Sequence, residues 1–417
     1  MPVGRLALLA AAAVLQGQGW WSQDVGADLS TPPGPGVPIV IVDSGVDAGH
    51  PLFSGRPNTT FLNGQTVDGP GEYHGTAVAS LAVGVYPQAV LASWDASPTQ
   101  GVSDSAAVSG IEAAAEHCPA VINLSFGSVE PAPGIDDAIL RAVHDGCLVV
   151  AAAGNDAELG NPTTYPAAYP HVLTVAATDE NDAPLPFSTF GPWVDLAAPG
   201  VDITAAVSLS HDPSGYSNGL AGTSFAAPLV TAAAAWIWTL RPTLTGDQLS
   251  GVLRASARDV STPGVDPETG HGVLDIPAAL AAPPPPVDPD EPNDDVDQVV
   301  PGRLFATGEP PLTSPARAST RITGSLDQAE DPRDLYRIWI PAHRVVRATV
   351  AAAGAAAARI WGPSTTSLDE GTAARTRDLK GGSLTGGKKG SYAYVEVRPT
   401  GSSTAVRYTL SVRAARP

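Results

Sequence analysis

Between residues 36 and 282, short unbroken apolar runs alternate with longer stretches of helical spacing. The runs are VPIVIVD, AVLASWD, AVINLSFG, CLVVAAAGN and VLTVAAT, each ending in polar or glycine residues. A strand with one wet face would alternate apolar and polar positions; a continuous run predicts burial on both faces. GTAVASLAVGV, SDSAAVSGIEAAAEHC and GIDDAILRAVHDG lie among these runs and are predicted helices. This alternation predicts an α/β unit of three layers, a mostly parallel sheet covered by helices, with its functional groups beyond the carboxyl ends of the strands.

The pattern then changes. AAPPPPVDPDEPNDDVDQ is too rich in proline and acid to continue a helix, so 283–298 reads as a stiff linker. Beyond it DLYRIWIPA, RVVRATVAAA, SYAYVEVRP and VRYTLSV alternate apolar with polar residues, predicting a small all-β sandwich over 299–417. At the other end, Arg5 followed by the apolar run Leu6–Leu15 and small residues has the layout of a secretory signal over 1–19, cut ahead of Trp20. Residues 20–35 are then an N-terminal extension, and the expected location is secreted or extracytoplasmic. The stretch GLAGTSFAAPLVTAAAAWIWTL (219–240) approaches spanning length, but Gly222, Thr223, Ser224 and Pro228 interrupt it, so no stable membrane insertion is expected.

Charge narrows the partners. Residues 1–282 carry six basic residues, all arginine, against 27 acidic ones, while 283–417 carry 17 basic against 15 acidic. Such an acidic unit has nothing to neutralise phosphates, which excludes nucleic acid as an expected partner. The clustered Asp294, Asp295 and Asp297 have the oxygens to hold Ca²⁺, but solvated linker charge is the preferred reading. The two cysteines, Cys118 and Cys147, each precede a predicted strand. If those strands are parallel neighbours, both thiols sit at one sheet edge and can pair; two buried free thiols are the alternative.

Four polar residues stand where apolar elements give way to glycine or a helix start: Asp43 in IVIVDSG, His74 in YHGTAVAS, Asn155 in VVAAAGN and Ser224 in GTSFAAP. Singly, each has an ordinary reading as a turn carboxylate, a helix-start histidine, a left-handed asparagine or a capping serine. Together they form a chemical set. A serine hydroxyl becomes a nucleophile when a base takes its proton, and the base needs an acid partner to hold its tautomer. A helix N-terminus and an asparagine amide supply donors for a developing oxyanion.

In their order, IVIVDSGVDAGHP, HGTAVAS, VVAAAGN and GTSFAAP resemble the signature blocks of the subtilisin-like serine proteases. YPAAYPHVLTVAATDE, FSTFGPWVDLAAPGVDI and GHGVLDIPAAL resemble the stretches that connect them, so the likeness covers roughly 36–282. It implies a subtilisin-like catalytic domain and a secreted serine endopeptidase acting on protein or peptide substrates as a monomer. Ser224 would be the nucleophile, His74 the base, Asp43 its orienting acid and Asn155 the oxyanion donor. Ser125, Phe126 and Gly127, with Ala152, Ala153 and Gly154, would line the substrate cleft. No redox or organic cofactor is implied; calcium is expected only as a structural ion, with no assignable ligands. The C-terminal region, through DEPNDDVDQ, GSLDQAEDPRDLYRIWIPA and YTLSV, resembles the bacterial pre-peptidase C-terminal (PPC) domain.

There are departures from the family pattern. Ala77 stands where a second histidine is common, Phe225 replaces the usual methionine, and Phe126 sits where leucine is frequent and is expected to reshape the specificity pocket. The stretch Trp20–Gly36 is too short for the inhibitory foldase domain of many secreted relatives. Two rival readings are a catalytically silent binding protein of the same fold and an esterase using the same nucleophile.

Overall fold

The computed structural model describes residues 19–66, 73–97, 101–285, 293, 311–327, 331–352, 356–365, 368, 381–400 and 405–415. The expected signal segment, save Gly19, and most of the linker, including Asp294, Asp295 and Asp297, lie outside the described residues. The chain divides into two units, Met1–Val287 and Asp288–Pro417.

In the first unit the apolar runs become strands of one sheet. β1 (Pro38–Asp43), β2 (Thr59–Phe61), β3 (Val90–Asp95), β4 (Val121–Leu124), β5 (Leu148–Ala152), β6 (Val172–Thr178) and β7 (Leu196–Pro199) lie in the order β2-β3-β1-β4-β5-β6-β7. Each neighbouring pair is parallel, with Ile39 opposite both Leu91 and Val121. Successive side chains feed opposite layers: Ile39 and Ile41 enter one core, Val40 and Val42 the other. Both cores are dry, which is why the strands read as unbroken hydrophobic runs.

Helices α2 (His74–Val85) and α5 (Thr223–Leu240) cover the first face, while α3 (Asp104–Ala115) and α4 (Pro133–His144) cover the second. α5 has the length and hydropathy of a membrane span, but 83% of it is buried inside the unit. Its apolar circumference suits a helix surrounded by protein on all sides. A two-stranded ribbon, β8 (Ile203–Ala206) and β9 (Tyr216–Leu220), leads into α5. α6 (Gly246–Ser256), opened by a Thr245–Gln248 capping box, and α7 (Ile276–Ala281) follow it.

Two sequence expectations change here. The stretch 20–35, read as an extension ahead of a domain beginning at 36, belongs to the unit itself. Trp21 of α1 (Trp20–Asp24) is fully buried in the first core, and a Cβ at Gly84 would lie 2.8 Å from its ring. Ile276 N donates to Val25 O, and Arg258 holds both Asp24 and Asp182. Tertiary contacts of this kind leave no periodic trace in five residues. The cysteine question, open in sequence, is answered by strand order. β4 and β5 pair with Val121 opposite Leu148, and Cys118 and Cys147 form a disulfide with Cα atoms 5.0 Å apart.

The second unit is antiparallel throughout. One sheet has the order β10 (Ser319–Asp327), β16 (Ala405–Ala415), β12 (Val345–Ala352), β14 (Gly381–Thr385); the other has β11 (Asp334–Ile340), β15 (Ser391–Pro399), β13 (Ala356–Trp361). Val346, Ala348, Leu410 and Val412 from the first meet Ile338, Ile360, Val395 and Val397 from the second in one core. This is the sandwich that the alternating pattern predicts. Within it the Tyr408 hydroxyl donates to the buried Asp334, with the Tyr336 hydroxyl 2.5 Å from that of Tyr408. Burial first, and then the Asp334 charge, push the Tyr408 phenol far above its ordinary range.

Candidate active site

The carboxyl ends of β1, β4 and β5 and the N-termini of α2 and α5 meet on one rim of the parallel sheet, the place where such sheets carry function. Asp43 is the last residue of β1 and is 4% exposed. His74 is the first residue of α2, and its Nδ1 lies 2.8 Å from Asp43 Oδ1, which also accepts from Ser44 N at 2.7 Å. An ionised carboxylate only accepts, so Nδ1 carries the proton and Nε2 of the neutral ring carries the lone pair. Close packing holds this arrangement: a Cβ on Gly75 would lie 2.0 Å from Gly45 O, and Gly75 N donates to Ser44 Oγ.

Asn155 follows the end of β5 and binds the start of α5 from the side. Its Oδ1 accepts from Thr223 N at 2.9 Å and from Thr223 Oγ1 at 3.1 Å, while Thr223 Oγ1 accepts from Gly154 N. The N-cap of α5 is Gly222, at φ +151°, which has no side chain to satisfy the orphan N–H groups of the first turn. Asn155, 67 residues earlier in the chain, does so instead. With its oxygen committed to Thr223, the amide Nδ2 is left as the donor end. Ser224 is therefore not a cap: it sits one residue inside the helix, half-buried.

The carbonyl of Ser224 has an unusual partner. Its helical donor would be the N–H of residue 228, which is proline. Ser125 Oγ donates to it at 3.0 Å, and Asn123 Nδ2 donates to Ser125 Oγ at 2.9 Å. Thr231 Oγ1 in turn donates to Asn123 Oδ1 at 2.9 Å, so a buried relay ties β4 to α5. The Ser224 hydroxyl donates to Ser125 O at 3.3 Å. The His74 ring lies 5.8 Å, centroid to centroid, from the ring of Phe225, the residue after Ser224.

The structure thus brings Asp43 to His74, Asn155 to Thr223 and Ser125 to Ser224, the last two pairs in the first turn of one helix. Gly127 and Gly154 lie beside this rim, and the side chain of Thr164 meets both. Phe126 packs against the second core and, with Gly127, Val102, Ile135, Tyr165 and Tyr169, lines a cavity of about 110 Å³. Sequence reading missed Asn123, Thr164, Thr223 and Thr231. Only the T of GTS carried a visible signal; Asn123 and Thr231 are ordinary small polar residues in apolar runs, and Thr164 lies in the polar stretch NPTTYP. Among the described residues, no three His, Cys, Asp or Glu side chains gather into a set that would hold a metal ion.

The sequence pattern of the subtilase family matches residues 34–272. The chain belongs to the subtilase family. Subtilisin DY of Bacillus licheniformis is 33% identical over 258 residues, covering 59% of this chain and 91% of the relative. Subtilisin Savinase of Lederbergia lenta is 32% identical over 256 residues, with the same coverage of 59% and 91%. A crystal structure of a cold adapted subtilisin-like serine proteinase superposes with a TM-score of 0.52 at 28% identity, covering 59% of this chain and 91% of that one. This subtilase is a serine-type endopeptidase, and its substrates are proteins or peptides.

Proposed function

We propose that this subtilase hydrolyses peptide bonds through an acyl-enzyme on Ser224, with His74 as base, Asp43 as its orienting acid, and Asn155 Nδ2 with Ser224 N–H as the oxyanion site. The observation that carries the reading is the 2.8 Å contact between Asp43 Oδ1 and His74 Nδ1. It fixes the tautomer in which Nε2 takes a proton. In this reading Ser224 Oγ leaves Ser125 O, to which it donates at 3.3 Å, and gives its proton to Nε2. Oγ attacks the scissile carbonyl carbon as that proton passes, and Asp43 stabilises the imidazolium. The carbonyl oxygen, now negative, lies against Asn155 Nδ2 and the positive end of α5. Collapse expels the amine, which takes the proton from Nε2, and water repeats the sequence to free Ser224.

An extended substrate would pair its backbone with Ser125–Gly127 and Ala152–Gly154, as an added strand. The cavity beside Phe126 would take an apolar side chain upstream of the cut. The chemistry draws on no cofactor beyond these side chains. Residues 1–19 would export the chain, and the sandwich, similar to a PPC domain in its sequence, would serve as a substrate- or surface-binding module.

A fluorophosphonate probe tests the assignment. It should label folded wild type stoichiometrically, label Ser224→Ala not at all, and label His74→Ala far more slowly. A folded wild type that takes up no probe would instead make the protein a silent binder, and turnover of simple esters without peptides would make it an esterase.

A further inference from the structure

We propose that this enzyme cuts after small residues (glycine, alanine or serine) because Thr164 fills the pocket beside the nucleophile; the inference rests on the assignment of Ser224 as that nucleophile. A carbonyl held between Ser224 and Asn155 must direct the side chain of its own residue into the space bounded by the segments that touch the start of α5. These are Ser125–Gly127, through the Ser125–Ser224 bonds, and Ala152–Asn155, through the bonds of Gly154 and Asn155 to Thr223. Each segment offers a glycine at this place, and glycine walls ordinarily leave room for a side chain. Here the room is taken. A Cβ on Gly127 would lie 2.7 Å from Thr164 Cγ2, and one on Gly154 would lie 2.6 Å from Thr164 Oγ1. One threonine therefore spans the gap between the two walls.

Its burial agrees with a filled pocket. Were the space open, the residue at its floor would be reached by water, yet Thr164 is 3% exposed and the adjoining Thr189 is fully buried. Nor is Thr164 free to withdraw. The next residue, Tyr165, exchanges two backbone hydrogen bonds of 2.8 Å with Ser128, and Thr164 O accepts from Ala168 N at 2.9 Å. A large residue before the cut would have to displace a buried β-branched side chain with stiff χ1 from a tied backbone. Glycine, alanine and serine need no such displacement.

The test is kcat/KM across a peptide series that differs only at the residue before the cut. Wild type should favour alanine over phenylalanine or leucine by about tenfold or more, the scale on which a pocket discriminates by size. Thr164→Gly should erase or reverse that preference, and Thr164→Ala, a milder change that protects against loss of folding, should shift it part-way in the same direction. Thr164→Val keeps the volume without the hydroxyl and should keep the preference. Wild type that favours phenylalanine or leucine would overturn the proposal, as would the same preference in Thr164→Gly and Thr164→Ala as in wild type. A folded chain that neither cleaves any peptide of the series nor takes up fluorophosphonate marks a different failure, that of Ser224 as nucleophile.

Discussion

Ser125 Oγ donates to the carbonyl oxygen of Ser224 at 3.0 Å, replacing the helical N–H that Pro228 lacks. A proline six residues into a helix usually leaves an orphan carbonyl near the first turn. Here that carbonyl belongs to the residue proposed as nucleophile, and a strand-end serine claims it. The helix start is thereby tied to the sheet rim through Asn123 and Thr231.

Ser125→Ala should leave that carbonyl without its donor. Removing one partner of a buried hydrogen bond costs about 1–3 kcal/mol. The expected result is a lower Tm by thermal unfolding and a lower kcat, since the helix turn carrying Ser224 loses its anchor. Unchanged kcat would show that the tie does not position Ser224.

Asp43→Asn should preserve the fold and cut kcat by about 10⁴-fold, the scale seen when a triad acid is replaced by its amide. The carboxamide can donate to Nδ1, which moves the ring proton to Nε2 and removes the lone pair that receives the Ser224 proton. Steady-state kinetics on the best peptide measures it.

Asn155→Ala should lower kcat by about 10²–10³-fold with little change in KM, a magnitude known for the corresponding amide of subtilisin rather than derived from this chain. Because Asn155 Oδ1 also holds Thr223 N and Oγ1, the variant should lose stability as well. An effect confined to KM would count against oxyanion binding.

Replacing Cys118 and Cys147 by serine should destabilise the first unit by about 2–4 kcal/mol, since the bridge closes a loop across 29 positions of chain. Denaturant unfolding of wild type with and without reductant, beside the double variant, measures the loss. Equal midpoints would show that the bridge contributes nothing.

Burial pushes the Asp24 carboxyl from 3.8 up to about 6, against the pull of Arg258 and with the push of Asp182 and Asp275. A carboxyl that holds its proton more tightly folded than unfolded supports the fold at low pH, and that support is lost as pH rises from about 4 to about 6. The Tm of Asp24→Asn should therefore gain on that of wild type across this interval. A flat difference, or one of opposite sign, would contradict the assignment.

The proposed chemistry is legible because its residues sit at transitions that sequence displays. Asp43, Asn155 and Ser224 each interrupt an apolar run at glycine, and His74 opens a helix whose remaining residues are small and apolar. The supporting residues were not legible. Asn123 and Thr231 lie inside buried segments, and their polarity makes sense only once β4 and α5 are in contact. α1 was read as an extension because the burial of Trp21 depends on Gly84, 63 positions away.

Read alone, the sequence determined the layers of the first unit, the alternating strands of the second and the residue types proposed here to react. Each of these follows from local rules: periodicity reports which faces are dry, and catalysis demands particular functional groups. The tertiary structure alone decided that the two cysteines bridge, that Asn155 rather than Ser224 satisfies the start of α5, that Phe126 and Gly127 line one cavity and that Thr164 touches both glycine walls. These depend on which distant segments share a few ångströms, and side-chain reach across a sheet rim is a property of packing that no stretch of chain encodes by itself.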